Sequence, residues 1–284
     1  MIRDTFVLGG DLEVRRLGFG ALRVTGRGCS GPPEDPEAMR ALLRRVVEVG
    51  INLIDTADSY GPEVSETLIA EALHPYPDGL VIATKGGLRG DGRGRAQDAR
   101  PERLKECCEG SLRRLRVECI DLYQLHAPDP EVPLEESLGA LRELQQEGKI
   151  RHIGVSNVSA SELERARSVA PVVSVQDRYN LADRHLDAVL AACERQGMAF
   201  IPSFPLDDGR LVHPGGALHA LARARGATPA QLAIAWLLRR SPVMLPIPGT
   251  SRVEHLEENV DALALELSDD DMERLDRCTL GGAE

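Results

Sequence analysis

Short continuous apolar runs alternate along this chain with longer stretches in which apolar positions recur every three or four residues. The runs at 17–20, 52–54, 80–84, 120–125, 152–155, 172–175, 199–201 and 243–246 read as strands buried on both faces. The periodic stretches near 36–49, 63–74, 101–116, 134–147, 159–169, 185–196 and 228–240 read as helices, and another follows near 252–263. Their ends are punctuated accordingly. Pro101 and the pair Thr228-Pro229 open helices, while Gly50, Gly148 and Gly197 stand just past last turns, where a left-handed residue is wanted. Ahead of the first run, residues 5–8 and 11–14 flank Gly9-Gly10, the pattern of a hairpin with a two-residue glycine turn.

Strands that alternate with helices specify a parallel sheet, and eight such units are the number that closes a barrel. The competing architecture is an open doubly wound sheet. Its usual nucleotide signature, three spaced glycines after the first strand, is incomplete here because Gly18 and Gly20 are followed by Ala21-Leu22-Arg23. The pattern therefore predicts an α/β protein, a (β/α)8 TIM barrel with an N-terminal β-hairpin, forming one domain over 1–284. In such barrels chemistry sits at the C-terminal ends of the strands. The glycine- and arginine-rich segment 86–95 reads as a solvent loop, or as a lid whose arginines attract an anion; 205–216 is a second irregular stretch on the same face.

Composition narrows the function classes. With 42% hydrophobic and 28% charged residues the chain is of ordinary globular make-up, and no apolar run approaches the roughly 18 residues of a membrane helix. Met1-Ile2-Arg3-Asp4-Thr5 lacks the features of a signal peptide, so the expected location is the cytoplasm, with the six cysteines reduced and no zinc spacing among them. A net charge of −11 argues against general nucleic-acid binding. Lysine is scarce, at Lys85, Lys105 and Lys149 against 31 arginines, which makes a lysine at a strand tip notable.

Polar residues stand where the early strands end. Asp55 follows Leu53-Ile54, Tyr60 comes five positions later, Lys85 closes the run from Leu80, and His126 follows Leu125. An ionisable group at a buried strand tip must find water, a partner or a substrate. A nearby ammonium stabilises a phenolate, and an aspartate restrains the ammonium. Tyr60 can then protonate an alkoxide as it forms while His126 donates to the carbonyl oxygen; such an acid is worth roughly 10²–10⁴ in rate. Two electrons must come from a hydride donor.

Asp55-Thr56-Ala57-Asp58-Ser59-Tyr60-Gly61, the Lys85 strand and Leu125-His126 together resemble the aldo-keto reductase superfamily, whose Asp–Tyr–Lys–His tetrad they reproduce in order. Ile153-Gly154-Val155-Ser156-Asn157, Val175-Gln176-Asp177-Arg178-Tyr179-Asn180 and Ile247-Pro248-Gly249-Thr250-Ser251-Arg252 followed by Glu258-Asn259 look like its cofactor motifs. The resemblance spans essentially the whole chain. It implies NADPH-dependent reduction of a small aldehyde or ketone, without metal, nucleic-acid, membrane or evident protein partner. It also implies Ser156, Asn157 and Gln176 at the nicotinamide carboxamide and Gly20 with Asp55 at the floor. Leu206, with Phe204 and Pro205, would follow the pyrophosphate; Thr250, Ser251 and Arg252 would grip the adenosine 2′-phosphate, with Glu258 and Asn259 near the adenine and Ser203, Ile247 and Gly249 also against the cofactor. Gly31-Pro32-Pro33, Tyr60-Gly61-Pro62 and Glu71-Ala72-Leu73-His74-Pro75-Tyr76 look most like a bacterial branch that includes pyridoxal reductases.

The chain departs from that family pattern in two places. Ser203 stands where many relatives carry an aromatic residue against the nicotinamide, with Phe204 beside it. Gly249 and His255 occupy positions at which many relatives place the cations for the 2′-phosphate, leaving Arg252 as the main one. Two other functions share the same residues. One is a regulatory subunit that binds NADPH without turnover; the other is a Schiff-base enzyme with Lys85 as nucleophile.

Overall fold

The computed structural model describes residues 5–90, 95–213 and 217–278. Strands β1 (Thr5–Leu8) and β2 (Leu12–Arg15) pair as the N-terminal hairpin. There follow β3 (Phe19–Gly20), β4 (Leu53–Asp55), β5 (Val81–Gly86), a small antiparallel pair β6 (Leu88–Gly90) and β7 (Arg95–Gln97), then β8 (Ile120–Leu125), β9 (Ile150–Ser156), β10 (Val172–Arg178) and β11 (Ala199–Ser203). Strands β3, β4, β5, β8, β9, β10 and β11 are parallel neighbours in that order, seven in one sheet.

The eighth run departs from the pattern. Residues 243–246 do not form a regular strand, because Pro242, Pro246 and Pro248 remove the N–H groups a ladder needs. The segment still closes the ring. Phe200 N donates to Val243 O and Leu245 N to Phe200 O on one side, and Gly18 N donates to Pro246 O on the other. The buried Arg16 secures this seam, its guanidinium donating to the carbonyls of Leu238, Ser241 and Met244. The result is the (β/α)8 barrel with its hairpin.

Helices α1 (Pro36–Glu48), α2 (Val64–Leu73), α3 (Pro101–Leu115), α4 (Leu134–Gln146), α5 (Ala160–Val169) and α6 (Asp187–Gln196) link successive strands. Two more, α7 (Ala217–Ala224) and α8 (Pro229–Arg240), precede the closing segment; α9 (Val253–Asp261) and α10 (Asp269–Cys278) follow it. Side-chain caps start several of them. Asp35 accepts from Ala38 N, and Ser159 with Glu162 and Thr228 with Gln231 form capping boxes. Helices α7 and α10 are absent from the periodicity reading. In α10 only Met272 and Leu275 interrupt a charged stretch; the helix is held by Leu275, fully buried, and by Trp236 Nε1 donating to Asp276 at 3.0 Å.

Other differences are local. The hairpin turn has three residues, since Leu8 pairs with Leu12; Asp11 is drawn into the turn to face Arg151 at 2.8 Å and His152 at 2.6 Å. The glycine–arginine segment contributes β6 and the start of β7, and 91–94 lie outside the described residues. In 205–216 the residues Asp207–Val212 form a 3₁₀ turn, and 214–216 lie outside the described residues.

Strand parity decides what the barrel encloses. Leu53, Val81, Ala83, Leu122, Ala199, Ile201, Leu245 and Ile247 pack together inside it, plugged from below by Leu8, Leu12 and Val14 of the hairpin. Side chains two positions further along a strand share the same face. That places Asp55 above Leu53, Lys85 above Ala83 and Gln124 above Leu122. The apolar floor and the polar ceiling are therefore successive layers of one interior.

Candidate active site

Three strand ends and one loop meet in the polar layer. Lys85, with no exposed surface, directs Nζ to Asp55 Oδ2 at 2.7 Å, to the Thr56 carbonyl at 2.8 Å and to Tyr60 Oη at 3.3 Å. Burial works against its ammonium form. The Asp55 carboxylate, the Tyr60 oxygen and hydrogen bonds to both more than offset this, so the Lys85 pKa stands above the ordinary lysine value. Asp55 Oδ1 accepts from Gln176 Nε2 at 2.8 Å and Gln124 Nε2 at 3.3 Å, so both carboxylate oxygens are used.

Tyr60 sits on the β4–α2 loop rather than at a strand tip. Tyr60 N donates to Ala57 O, and Ser65 N at the start of α2 donates to Tyr60 O. Its ring lies 5.0 Å from Lys85 Nζ and meets His126 edge-on, with centroids 5.9 Å apart at 75°. Asn157 Nδ2 donates to the His126 carbonyl at 2.8 Å and to Ser156 Oγ at 3.0 Å, which ties the ends of β8 and β9 together. On the outer face of β5, Thr84 Oγ1 donates to the fully buried Glu66 of α2 at 2.6 Å, and Arg114 Nε of α3 donates to the same carboxylate at 2.7 Å.

A cavity of about 720 Å³ opens over this layer, within the size range of ligand and cofactor sites. Asp55, Tyr60 and His126 line it, and Lys85 stands behind them. Gly20, Ser156, Asn157, Gln176, Ser203, Phe204, Pro205, Leu206, Ile247, Gly249, Thr250, Glu258 and Asn259 also face it. Ser251 and Arg252 do not; Arg252 points to solvent, 3.5 Å from Glu254, whereas His255 is part of the wall. Two glycines set the width of the far end. A Cβ on Gly20 would come 2.7 Å from the Ile247 carbonyl, and one on Gly249 would come 2.5 Å from the Gly20 carbonyl.

Phe204 adopts a left-handed conformation, φ +50°, and carries the Arg178 guanidinium over its ring at 5.1 Å. Arg178 also pairs with Asp207. Arg23 reaches Asp208 at 2.9 Å; both line the cavity, so the pair links its two rims.

Sequence reasoning missed Gln124, Arg23, Asp208 and the start of α8 at Thr228, Pro229 and Ala230. Gln124 had a readable signal, since it lies two residues before His126 on the same strand face. The others come from loops whose path no periodicity fixes. Among the described residues no group of three or more His, Cys, Asp or Glu is gathered to hold a metal ion.

The class of this protein is that of an oxidoreductase. The chain belongs to the aldo/keto reductase family, whose model matches residues 16–280. It is 42% identical to pyridoxine 4-dehydrogenase of Escherichia coli over 284 residues, covering 97% of this chain and 98% of that protein. An uncharacterized oxidoreductase of Schizosaccharomyces pombe is 49% identical over 268 residues, covering 94% and 87% respectively. Among solved structures, glycerol dehydrogenase from Gluconobacter oxydans superposes with a TM-score of 0.89 at 30% identity, covering 98% of this chain and 95% of that one. An aldo/keto reductase from Klebsiella pneumoniae, in complex with NADP and acetate, gives 0.83 at 29% identity, covering 97% and 95%.

Proposed function

We propose that this protein reduces a small aldehyde or ketone, pyridoxal among the candidates, to the alcohol at the expense of NADPH, with Tyr60 as the general acid. The observation that carries this reading is the use of the Lys85 ammonium. Its three protons have three partners, Asp55, the Thr56 carbonyl and Tyr60 Oη. The Tyr60 oxygen therefore accepts from Lys85, and its own proton is the one that can be given away. The ammonium also stabilises the phenolate left behind.

The residues present fit the cofactor. Ser156, Asn157 and Gln176 supply the hydroxyl and amide groups that a carboxamide needs at one end of the cavity. At the other end the backbones of Gly20 and Gly249 pack closely, where a side chain would clash, and the first turn of α9 has no side-chain cap, which leaves backbone N–H groups suited to a phosphate. NADPH, when bound, supplies the hydride. Tyr60 delivers the proton to the carbonyl oxygen, and His126 donates a hydrogen bond that orients that oxygen. Asp55 holds Lys85 in place.

The E. coli relative named for pyridoxine supports a pyridoxal-type substrate. The Schiff-base alternative is disfavoured because Lys85 is fully enclosed and held as ammonium, which is not a nucleophile. No helix among the described residues is long and apolar enough to cross a membrane; a cytoplasmic location is part of the proposal.

The test is NADPH oxidation with a panel of carbonyls that includes pyridoxal, repeated with Tyr60→Phe. Turnover should fall by roughly 10²–10⁴ in the variant while NADPH affinity stays near wild type. Undiminished turnover without the hydroxyl removes Tyr60 from the role. Tight NADPH binding with no turnover on any carbonyl would favour the regulatory subunit.

A further inference from the structure

A neutral histidine can donate to a carbonyl oxygen only from the ring nitrogen that carries the proton, and the hydrogen bond at the other nitrogen selects which one that is. His126 Nδ1 faces the hydroxyl of Ser59 at 3.5 Å, with the two residues only 5% and 8% exposed. Ser59 immediately precedes Tyr60, so one stretch of backbone carries both hydroxyl groups. That stretch is pinned by Glu63 N donating to Asp58 O at 2.8 Å and by Asp58 N donating to Lys85 O at 3.1 Å. His126 is fixed in turn, its N donating to Gly86 O at 2.9 Å and its carbonyl accepting from Asn157. Neither partner can drift far from the other.

We propose that Ser59 is a positioning residue that sets the tautomer of His126. Its hydroxyl donates to Nδ1, which keeps the ring proton on Nε2, across the ring, for the cavity that His126 lines. A serine hydroxyl can donate or accept, so the assignment turns on what each arrangement offers the cavity. With the proton on Nδ1, Nε2 would present a lone pair to the carbonyl oxygen that Tyr60 protonates, and the two would repel. With Ser59 donating, His126 and Tyr60 both present N–H or O–H. The separation is long for an O–H···N bond, as is common at catalytic sites before a ligand tightens them. The assignment of the tautomer rests on the carbonyl-reductase reading; its measurement by NMR does not.

Protein labelled with ¹⁵N in its histidines, saturated with NADP⁺, reports the tautomer directly by NMR, with the His126 signals assigned through their loss in His126→Gln. In the wild type, Nδ1 should resonate as an acceptor nitrogen and Nε2 as an N–H nitrogen. Ser59→Ala should move both signals toward a mixture of tautomers, and Ser59→Thr, which keeps the hydroxyl, should restore them. In parallel, kcat for carbonyl reduction should fall about tenfold in Ser59→Ala, recover in Ser59→Thr, and leave the NADPH dissociation constant unchanged. A wild-type ring protonated on Nδ1, or ring-nitrogen signals identical in wild type and Ser59→Ala, overturns the proposal. A wild type that never oxidises NADPH with any carbonyl would instead sink the reductase reading, with the NMR result still deciding the role of Ser59.

Discussion

Lys85 Nζ lies 2.7 Å from Asp55 Oδ2, and burial of the two side chains is so complete that neither charge has bulk water to fall back on. Such a pair adds little net stability, but removing one partner strands the other. Lys85→Met should therefore cost about 3–5 kcal/mol in urea unfolding. Asp55→Asn combined with Lys85→Met should recover much of that loss while remaining inactive. A double variant no more stable than Lys85→Met alone would show that the stranded carboxylate is not the source of the cost.

Asp58 is only 6% exposed, and one of its carboxylate oxygens has no hydrogen-bond partner. Burial pushes its carboxyl from the ordinary 3.8 up to about 6, with the charge of Glu66 adding to the rise and the Cys107 thiol, Arg114 and Arg103 opposing it. The folded protein thus keeps a proton on Asp58 at pH values where the unfolded chain has lost it. Stability from this group is greatest below the unfolded value and declines as pH rises through about 6. Asp58→Asn should stabilise the protein near neutral pH by on the order of 2–3 kcal/mol, with the gain vanishing below about pH 4. Chemical denaturation at both pH values checks this, and a variant less stable than wild type at neutral pH would contradict it.

His255 in the cavity wall and Arg252 in the solvent outside it are both candidates for contact with a 2′-phosphate. Arg252→Ala should raise the KM for NADPH more than that for NADH. The effect should be moderate, roughly three- to tenfold, because the guanidinium is solvated and already near Glu254. If His255→Ala selectively raises the NADPH KM while Arg252→Ala affects both cofactors equally, the phosphate sits deeper in the cavity than the arginine.

The Arg23–Asp208 pair joins opposite rims of the cavity at 2.9 Å, with both side chains about half exposed. A bridge of this kind is worth less than about 1 kcal/mol, so its loss should show in rates more than in fold. Arg23→Ala should speed NADP⁺ dissociation a few-fold in stopped-flow fluorescence, and salt should speed it in the wild type but much less in the variant. Unchanged dissociation would mean that the rims part without regard to this contact.

Much of the architecture could be read from the chain because strand parity and helix period are local. The floor of Leu53, Ala83 and Leu122 and the ceiling of Asp55, Lys85 and Gln124 follow from alternation along three strands, and the places of Asp55, Lys85 and His126 follow from where those strands stop, whereas Tyr60 lies on the loop after β4. The closing segment was harder. Val243 and Leu245 each make one backbone hydrogen bond with Phe200, but the neighbouring prolines deny the segment a ladder. Helix α10 escaped because its few apolar residues give a weak period. The placement of Arg252 outside the wall, and of Arg23 and Asp208 on it, depends on how loops from distant parts of the chain lean together, and no local pattern encodes that.

The ring has one meridian stitched by a side chain. Where the last segment meets the first, carbonyls of Leu238, Ser241 and Met244 depend on the guanidinium of Arg16 instead of on a neighbouring strand. Amide exchange should therefore begin along that line, and Arg16→Met should loosen it without touching a single residue of the cavity wall. Gly20, Ile247 and Gly249 lie on the same meridian, a few residues up the barrel. Opening there would unlatch the far end of the groove while the hydrogen-bonded cluster of Tyr60, Lys85 and Asp55 stayed clamped.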